Sequence, residues 1–269
     1  MLLTGASGLV GTWLRKMVPA DVELISWTHR TQVASSRSVV GDLRDRQAVT
    51  AALAEIRPSL VIHAAMAVDP VSIVEATRNV AEGASIVGAD LVYTSTDAVF
   101  SGDGRPVDER VPPDPIWDYG RWKAAAEQLV VHGPTGWAVA RLPLVVSLDP
   151  EDHGVARLRQ GALRNEPTRW FHDEVRQPAM ASEIADALWR IGSLEPDKRS
   201  GIWQLPGPES LNRYEIARSI VDTLNLDPRS IMSVPTPVDA NRPQHLNMLG
   251  DRARNEISWN PARILTGSH

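Results

Sequence analysis

Three closely spaced glycines near the N-terminus constrain the fold of this chain more than any other feature. Gly5, Gly8 and Gly11 follow a short apolar segment at residues 1–4 and open a stretch with helical spacing. Glycines at a strand–turn–helix junction allow a tight turn and close approach of a pyrophosphate, which the N–H groups at the helix start also favour. The loop therefore predicts a dinucleotide site, with an ordinary turn as the alternative. The predicted contacts are Gly5, Ser7, Gly8, Leu9, Val10 and Gly11.

Strand-like and helix-like segments alternate through the first half of the chain. Predicted strands lie at residues 1–4, 22–27, 38–40, 60–63, 90–94 and 137–141, and predicted helices at 10–18, 46–56, 71–87 and 119–131. This alternation predicts an α/β fold of Rossmann type, a doubly wound parallel sheet with helices on both faces.

The second half has more turn residues, with helices predicted at residues 155–164, 182–191 and 212–224 and strands at 202–205 and 231–234. Ser182 is expected to cap the second of these helices. We expect a dinucleotide-binding domain over residues 1–145. We expect a smaller α+β substrate lobe over residues 146–269, from which residues 178–206 return to the first domain.

Composition excludes several other classes of protein. The absence of cysteine excludes a disulfide framework, thiolate metal sites and a cysteine nucleophile, and it fits a reducing compartment. With 28 Lys and Arg against 33 Asp and Glu, a nucleic-acid partner is not expected. Apolar runs are too short to span a membrane, and the histidines lack the spacing of a zinc site. We therefore expect a cytoplasmic protein with a small-molecule ligand and no metal; a homodimer is compatible with this.

The end of the second predicted strand indicates which nicotinamide dinucleotide is bound. NAD sites usually place Asp or Glu there, whereas this chain has His29 and Arg30. A guanidinium can grip a 2′-phosphate, so Arg30, helped by His29, predicts a preference for NADP(H) over NAD(H). A solvated surface arginine is the alternative. Asp42, followed by Leu43, is expected either to bind the adenine amino group or to cap the next helix.

Tyr119 and Lys123 lie four residues apart on a predicted helix and therefore share one face. The chain has only three tyrosines and three lysines, so this spacing would arise by chance only about 0.03 times. A nearby ammonium, together with the cationic nicotinamide of an oxidised cofactor, lowers the pKa of a phenol. Tyr119 could then donate a proton to a carbonyl as hydride arrives. The alternative is a half-buried helix pair with the lysine pointing to water.

The polar run Ser95-Thr96-Asp97 ends the fifth predicted strand. Ligands of parallel sheets bind at the carboxyl ends of strands, where a hydroxyl can hydrogen-bond a reacting carbonyl. Ordinary polar residues at a strand-to-loop junction are the alternative.

Several segments occur in the order seen in extended short-chain dehydrogenases/reductases, and the chain resembles their dTDP-4-dehydrorhamnose reductase family in particular. In the first half these segments are the glycine loop, His63-Ala64-Ala65, residues 95–102, residues 119–123 and Arg141-Leu142-Pro143. In the second half they are residues 171–178, 181–185, 201–207, Arg242-Pro243 and residues 251–254. The segment at 95–102 is the most distinctive, and the resemblance covers nearly the whole chain.

The resemblance implies NAD(P)H-dependent reduction of a 4-keto group on a nucleotide-linked deoxysugar, with Thr96, Tyr119 and Lys123 as the catalytic triad. Further cofactor contacts are expected at Ala64, Ala65, Met66 and Leu142. The expected substrate contacts are Asp69, Asp97, Ala98, Trp170 and Arg242.

Three of the substrate contacts have structural alternatives. Asp69 could cap the helix after Pro70, and Arg242 could form a surface salt bridge. Trp170 precedes an acidic turn and could stack on a nucleotide base, or it could be a core residue.

The chain departs from the family at two positions near the expected site. Ala98 stands where close relatives carry Tyr, and it cannot supply the carboxylic acid that sugar-nucleotide dehydratases place there. Ile73 stands where many relatives carry an Asn of a proton relay, and Asn79 is not expected to replace it. Two other functions stay open: a non-catalytic NADP-binding subunit, as in the methionine adenosyltransferase β subunits, and an epimerase.

Overall fold

The structure is a computed structural model that describes residues 1–33 and 37–264. Its strands are β1 (Leu2–Thr4), β2 (Ile25–Thr28), β3 (Arg37–Val40), β4 (Leu60–His63), β5 (Asp90–Thr96), β6 (Ala138–Leu142), β7 (Val145–Val146), β8 (Thr168–Phe171), β9 (Val175–Arg176), β10 (Ala179–Met180), β11 (Gly201–Gln204), β12 (Leu211–Asn212) and β13 (Ile231–Val234). Its α-helices are α1 (Leu9–Lys16), α2 (Arg46–Ile56), α3 (Ala76–Val87), α4 (Asp118–Val131), α5 (His153–Arg164), α6 (Ala181–Ser193), α7 (Pro196–Arg199), α8 (Arg213–Thr223) and α9 (Asp251–Ile257).

The described residues form a central parallel sheet in the order β11-β6-β5-β4-β1-β2-β3. Successive residues of its strands face opposite sides. Leu3 and Ile62 pack on one side with α1 and α6, whereas Leu2 and Val61 pack on the other with α2, α3 and α4. The predicted doubly wound Rossmann-type fold is confirmed.

The helix predicted over residues 71–87 has an irregular start. Val71–Glu75 form a π-helical turn, and α3 begins at Ala76. The carbonyl of Ile73 accepts from the N–H of Ala76 and from the hydroxyl of Thr77. These bonds compete with the regular i to i+4 pattern, which sequence periodicity alone does not predict.

The later part of the chain contributes to two cores. Strand β11 pairs with β6, and α6 packs against α1, so these elements belong to the central sheet and its cover. Helix α6 begins at Ala181, so the predicted cap Ser182 lies inside its first turn. Helices α5 and α8 instead pack with the parallel pair β8–β13 around a separate apolar cluster, which we call the C-terminal lobe core. No helix in the described part of the chain has the length and apolar character needed to cross a membrane.

Candidate functional site

The turn after β1 brings the glycine loop to the carboxyl edge of the sheet. Gly5 has a φ of +70°, in the left-handed region that favours glycine. A Cβ at Gly5 would lie 2.5 Å from the oxygen of Ala64 and 2.5 Å from the nitrogen of Ala65. The glycine loop and the residues after β4 are therefore in direct contact, and the position tolerates only glycine.

Gly8 and Gly11 shape the start of α1. Gly8 is the exposed N-cap residue, and no side chain among residues 1–33 and 37–264 caps the helix. A Cβ on Gly11 would lie 2.2 Å from the oxygen of Gly5, so glycine is required for α1 to pack on the loop. The N–H groups of the first turn point out of the helix beside exposed Ser7 and half-buried Leu9. This cradle fits the pyrophosphate of a dinucleotide.

The ends of β2 and β3 carry the residues predicted to select the cofactor. His29 and Arg30 are exposed directly after β2. Arg44 donates to the two carboxylate oxygens of Asp42 at 3.0 and 2.6 Å, and these hydrogen bonds lower the pKa of Asp42 to about 2. Helix α2 is capped by Asp45, whose carboxylate accepts from the N–H groups of residues 47 and 48. The cap alternative for Asp42 is therefore wrong, because Asp45 has that role.

Asn79 contributes to the same side of the sheet, a role that the sequence did not predict. It is buried in α3, and its Nδ2 donates to the carbonyl of Leu43 at 2.9 Å and of Arg44 at 3.1 Å. Asn79 therefore ties the loop that carries Asp42 and Leu43 to the body of α3. A polar residue on the buried face of an amphipathic helix is the signal that could have identified it.

The loop after β4 is short. Ala64 and Ala65 are half-buried, whereas Met66 is 78% exposed. The carboxylate of Asp69 accepts from the N–H of Ser72 at 2.8 Å, and hydrogen bonds from Ser72 lower its pKa. Asp69 thus caps the π-helical turn, which agrees with the alternative that it caps the helix after Pro70. A substrate role for Asp69 stays a prediction.

His63 is buried at the end of β4 inside a chain of hydrogen bonds. Its Nε2 lies 3.1 Å from the hydroxyl of Thr77, which itself donates to the carbonyl of Ile73. Nε2 must therefore carry the proton, and Nδ1 accepts from the hydroxyl of Thr4 at 2.6 Å. Burial, with a smaller effect of Lys123, lowers the pKa of His63 to about 3, so the imidazole is neutral.

The three residues of the predicted triad lie at the carboxyl edge of β5 and on the first turns of α4. The hydroxyl of Thr96 donates to a carboxylate oxygen of Asp97 at 3.1 Å and accepts from the N–H of Ala98 at 3.2 Å. The ammonium of Lys123, 4% exposed, donates to the carbonyl of Thr94 at 2.7 Å. Asp97 and Thr96 both act on the pKa of Tyr119, so these side chains lie close together. Lys123 reaches the same strand two residues earlier, at Thr94.

The titration of this group differs from the sequence-based expectation. Burial, and then the carboxylate of Asp97, raise the pKa of Tyr119 to about 12, with Thr96 opposing them. Burial lowers the pKa of Lys123 to about 7, with Glu127 opposing it. Lys123 was expected to lower the pKa of Tyr119. In the structure its ammonium lies 4.2 Å from the centre of the Tyr93 ring and bonds Thr94, so burial dominates.

A group of arginines lies beside Asp97, and most of it was missed by sequence reasoning. Glu174 is fully buried and accepts from Arg242 at 2.5 and 3.1 Å and from Arg176 at 3.3 Å. Burial, and then repulsion by Arg176, lower the pKa of Arg213 to about 10, with Glu174 opposing them. We call Arg176, Arg213 and Arg242 the arginine cluster. Its members come from β9, α8 and a late loop, and no local sequence pattern links them.

The buried carboxyl of Asp97 connects the arginine cluster to the predicted triad. Burial raises its pKa, while Arg176 and the Thr96 hydroxyl oppose that shift. Asp97 therefore faces Thr96 and Tyr119 on one side and positive charge on the other. Arg242 forms a salt bridge, as one alternative predicted, but not a surface one, because its partner Glu174 is fully buried.

Three further predicted contacts are buried. Trp170 is 5% exposed in the C-terminal lobe core, its Nε1 donates to the Thr168 hydroxyl at 2.8 Å, and the Arg157 guanidinium covers its ring at 4.1 Å. Trp170 is therefore a core residue, as the alternative interpretation predicted, and the structure does not support stacking of a base on its ring. Leu142 and Ala98 are also largely buried.

Comparisons with known proteins show the family of the chain and its structural relatives. The family model described as RmlD substrate binding domain matches residues 1–263. Methionine adenosyltransferase 2 subunit beta of Xenopus tropicalis is 29% identical over 252 residues, covering 84% of this chain and 72% of that protein. The dTDP-4-dehydrorhamnose reductase of Streptomyces griseus is 29% identical over 246 residues, covering 86% and 78%. The crystal structure of a Bacillus anthracis dTDP-4-dehydrorhamnose reductase in complex with NADP superposes with a TM-score of 0.85 at 23% identity, covering 99% and 94%.

Proposed function

The chain belongs to the RmlD substrate binding domain family, and we propose that it reduces a keto group on a nucleotide-activated deoxysugar with NADPH. The observation that carries this proposal is the placement of Thr96, Tyr119 and Lys123 around the carboxyl end of β5, with the arginine cluster beside Asp97. Such an arrangement pairs a proton donor for a ketone with charges for a phosphate.

The proposed cofactor site follows the carboxyl edge of the central sheet. The glycine loop would hold the pyrophosphate, Arg30 and His29 the 2′-phosphate, and Asp42 with Leu43 the adenine. Ala64 to Met66, Leu142, Tyr119 and Lys123 would line the nicotinamide half. The bound cofactor supplies the hydride. Preference for NADP(H) rests on Arg30 in place of an acidic residue.

Tyr119 is the proposed acid. A pKa of about 12 keeps its phenol protonated at neutral pH, so a proton is available for the ketone oxygen. Thr96 would turn its hydroxyl proton from Asp97 to the same oxygen and help to orient the ketone. Lys123, when protonated, would supply positive charge near the end of β5, where negative charge develops during the reduction.

The arginine cluster is the proposed site for the substrate's diphosphate. Arg176, Arg213 and Arg242 carry three positive charges, against the carboxylates of Glu174 and Asp97. Burial and mutual repulsion keep the pKa of Arg213 low, so an anion of charge −2 would relieve that repulsion. Substrate roles for Asp69 and Ala98 remain part of the proposal. The Trp170 ring instead packs against Arg157 and lies 6.0 Å from the guanidinium carbon of Arg213.

A second candidate is a non-catalytic, NADP-binding regulatory subunit. The similarity to methionine adenosyltransferase 2 subunit beta favours it. The absence of cysteine fits a reducing compartment, so we propose a cytoplasmic location for either function.

The deciding experiment combines NADPH titration by fluorescence with turnover of dTDP-4-dehydrorhamnose. We expect NADPH binding, consumption of NADPH with the ketone, and a fall in kcat of about 10²–10⁴-fold in Tyr119→Phe at unchanged NADPH affinity. NADPH binding without consumption would refute the reductase and favour the regulatory subunit. Isomerisation of the sugar without net NADPH consumption would favour an epimerase instead.

A further inference from the structure

Trp117, the residue that precedes α4, lies between the predicted catalytic tyrosine and the arginine cluster. Its indole Nε1 donates to the carbonyl of Ala98 at 3.2 Å. Its ring meets that of Tyr119 edge-on, with ring centres 5.3 Å apart. The guanidinium carbon of Arg242 lies 5.2 Å from the centre of the same ring.

We propose that Trp117 is a positioning residue that holds Arg242 in the orientation needed to bind a diphosphate, and thereby favours ketones that carry one. This inference rests on the proposed function, because it takes the diphosphate as the ligand of Arg242. Neither the glycine loop nor the catalytic triad requires a tryptophan at this position.

The hydrogen bonds of Arg242 leave its orientation incompletely fixed. Glu174 accepts from Nε and from Nη2, and these two bonds define one edge of the guanidinium. The remaining donors of a guanidinium are free to meet an anion. The Trp117 ring beneath the guanidinium restricts movement about the edge that Glu174 holds, and cation–π attraction stabilises that arrangement.

A second contact joins the chain around Trp117 to the chain around Arg242. Asn241, next to Arg242 in the chain, donates through Nδ2 to the carbonyl of Ile116 at 2.7 Å. Residues 116–117 and residues 241–242 are thus connected by a hydrogen bond and by the contact between the Arg242 guanidinium and the Trp117 ring. Because Tyr119 follows two residues later, the orientation of Arg242 and the placement of the phenol share one support.

The first turn of α4 is closely packed, which makes this support rigid. A Cβ on Gly120 would lie 2.2 Å from the oxygen of Ala98, the same oxygen that accepts from Trp117. Gly120 would also approach the Trp117 ring at 3.0 Å if it carried a Cβ. The indole therefore has little freedom to move away from Arg242 on the side of α4.

The test is a double-mutant cycle on the affinity of the NADPH-loaded protein for dTDP, measured by calorimetry. Trp117→Leu should raise the dissociation constant about tenfold when Arg242 is present and less than twofold in the Arg242→Gln background. Equal factors in both backgrounds would overturn the proposal, as would a wild-type protein that does not bind dTDP. NADPH affinity should stay within twofold in every variant.

Trp117→Phe provides a variant that keeps a ring beside Arg242 but lacks the indole N–H. It should bind dTDP within about threefold of the wild-type protein. A loss as large as that of Trp117→Leu would mean that the bond to Ala98, and not the contact with Arg242, is what matters. The cycle measures dTDP affinity, and turnover tests only the proposed function.

If the effects of the Trp117 and Arg242 substitutions on dTDP affinity depend on each other but the protein reduces no ketone, the proposed function alone is refuted. If the protein reduces the ketone but the two effects are additive, this inference alone is refuted.

Discussion

The carboxyl edge of the sheet and the arginine cluster are both candidate binding sites, but they are built in opposite ways. The edge is made by backbone: Gly5 and Gly11 bring main-chain groups into contact, and a Cβ at either would collide. The cluster is made by side chains: Arg176 and Arg242 meet over the buried Glu174. A backbone site depends on conformation, whereas a side-chain site depends on balanced charge.

The difference predicts how each region responds to mutation. Removing one member of the charged cluster changes the electrostatic energy of all the others, so stability and anion binding should change together. A side chain that projects from the sheet edge toward the cofactor can be replaced with smaller consequences for the fold. Lys123 is the exception, because it is a buried charge within the backbone-built region.

Of the changes that compare the two regions, Lys123→Met should have the largest effect, and it departs from the simple contrast between a backbone site and a side-chain site. We expect kcat to fall by about 10²–10³-fold, because the ammonium that stabilises developing negative charge is lost. Below pH 7 the free energy of unfolding should instead rise by about 1–3 kcal/mol, because a buried charge is removed. Steady-state turnover and urea unfolding at several pH values measure the two effects.

The pH dependence of that stability gain follows from the pKa of Lys123. Its pKa is about 7 in the folded protein against 10.5 for the free side chain. Between these values the unfolded chain binds more protons, so the wild-type protein gains stability as pH rises. The advantage of Lys123→Met should therefore shrink above pH 7 and vanish near pH 10.5. An advantage that is constant with pH would contradict the assignment.

Glu174→Gln tests the charge balance of the arginine cluster. Arg176 and Arg242 would lose their shared carboxylate, and the free energy of unfolding should fall by about 2–4 kcal/mol. Pyrophosphate should restore part of that loss and raise the Tm more in the variant than in the wild-type protein. The exposed pair Arg46–Glu82 supplies a control: Glu82→Gln should change stability by about 0.5 kcal/mol or less. Equal losses in the two variants would mean that Glu174 does not balance the cluster.

The contrast between the regions also explains what the sequence could predict. The glycine loop and the pair Tyr119–Lys123 are local patterns whose spacing follows from one turn or one helix. The bounds of α2 and β4 agree with prediction to the residue, because periodicity and flanking turn residues determine them. The fold class and the proposed catalytic residues were therefore accessible from the sequence.

The arginine cluster was largely inaccessible for a physical reason. Arg176 and Arg213 are 37 positions apart, and nothing local distinguishes them from the many surface arginines of this chain. Trp170 looked like a stacking platform beside an acidic turn, but tertiary packing buries it. The direction of the pKa shift of Tyr119 was also predicted wrongly. Burial and Asp97 raise this pKa, and Lys123 does not lower it because its ammonium donates to the carbonyl of Thr94.

Arg30→Glu examines the selectivity of the sheet edge. A carboxylate in place of the guanidinium would repel a 2′-phosphate, so NADPH affinity should fall about 30-fold, while NADH affinity should stay within threefold. Arg218→Glu makes the same change of charge on an exposed part of α8 and should leave both affinities unaltered. Fluorescence titration measures all four constants. Equal losses for NADPH and NADH in Arg30→Glu would refute the role of Arg30 in selecting the cofactor.

Asn79→Ala should have the smallest effect and tests whether a buried side chain supports the backbone-built edge. Loss of the two bonds from Nδ2 frees the loop at Leu43 and Arg44, so the dissociation constant of NADPH should rise about fivefold. The adenosine fragment 2′,5′-ADP should lose affinity by the same factor, with kcat at saturating NADPH unchanged. Asn255→Ala, at an exposed position of α9, is the matched control and should bind both ligands normally. If nicotinamide mononucleotide loses affinity as much as 2′,5′-ADP, Asn79 supports the whole sheet edge and not the adenine loop alone.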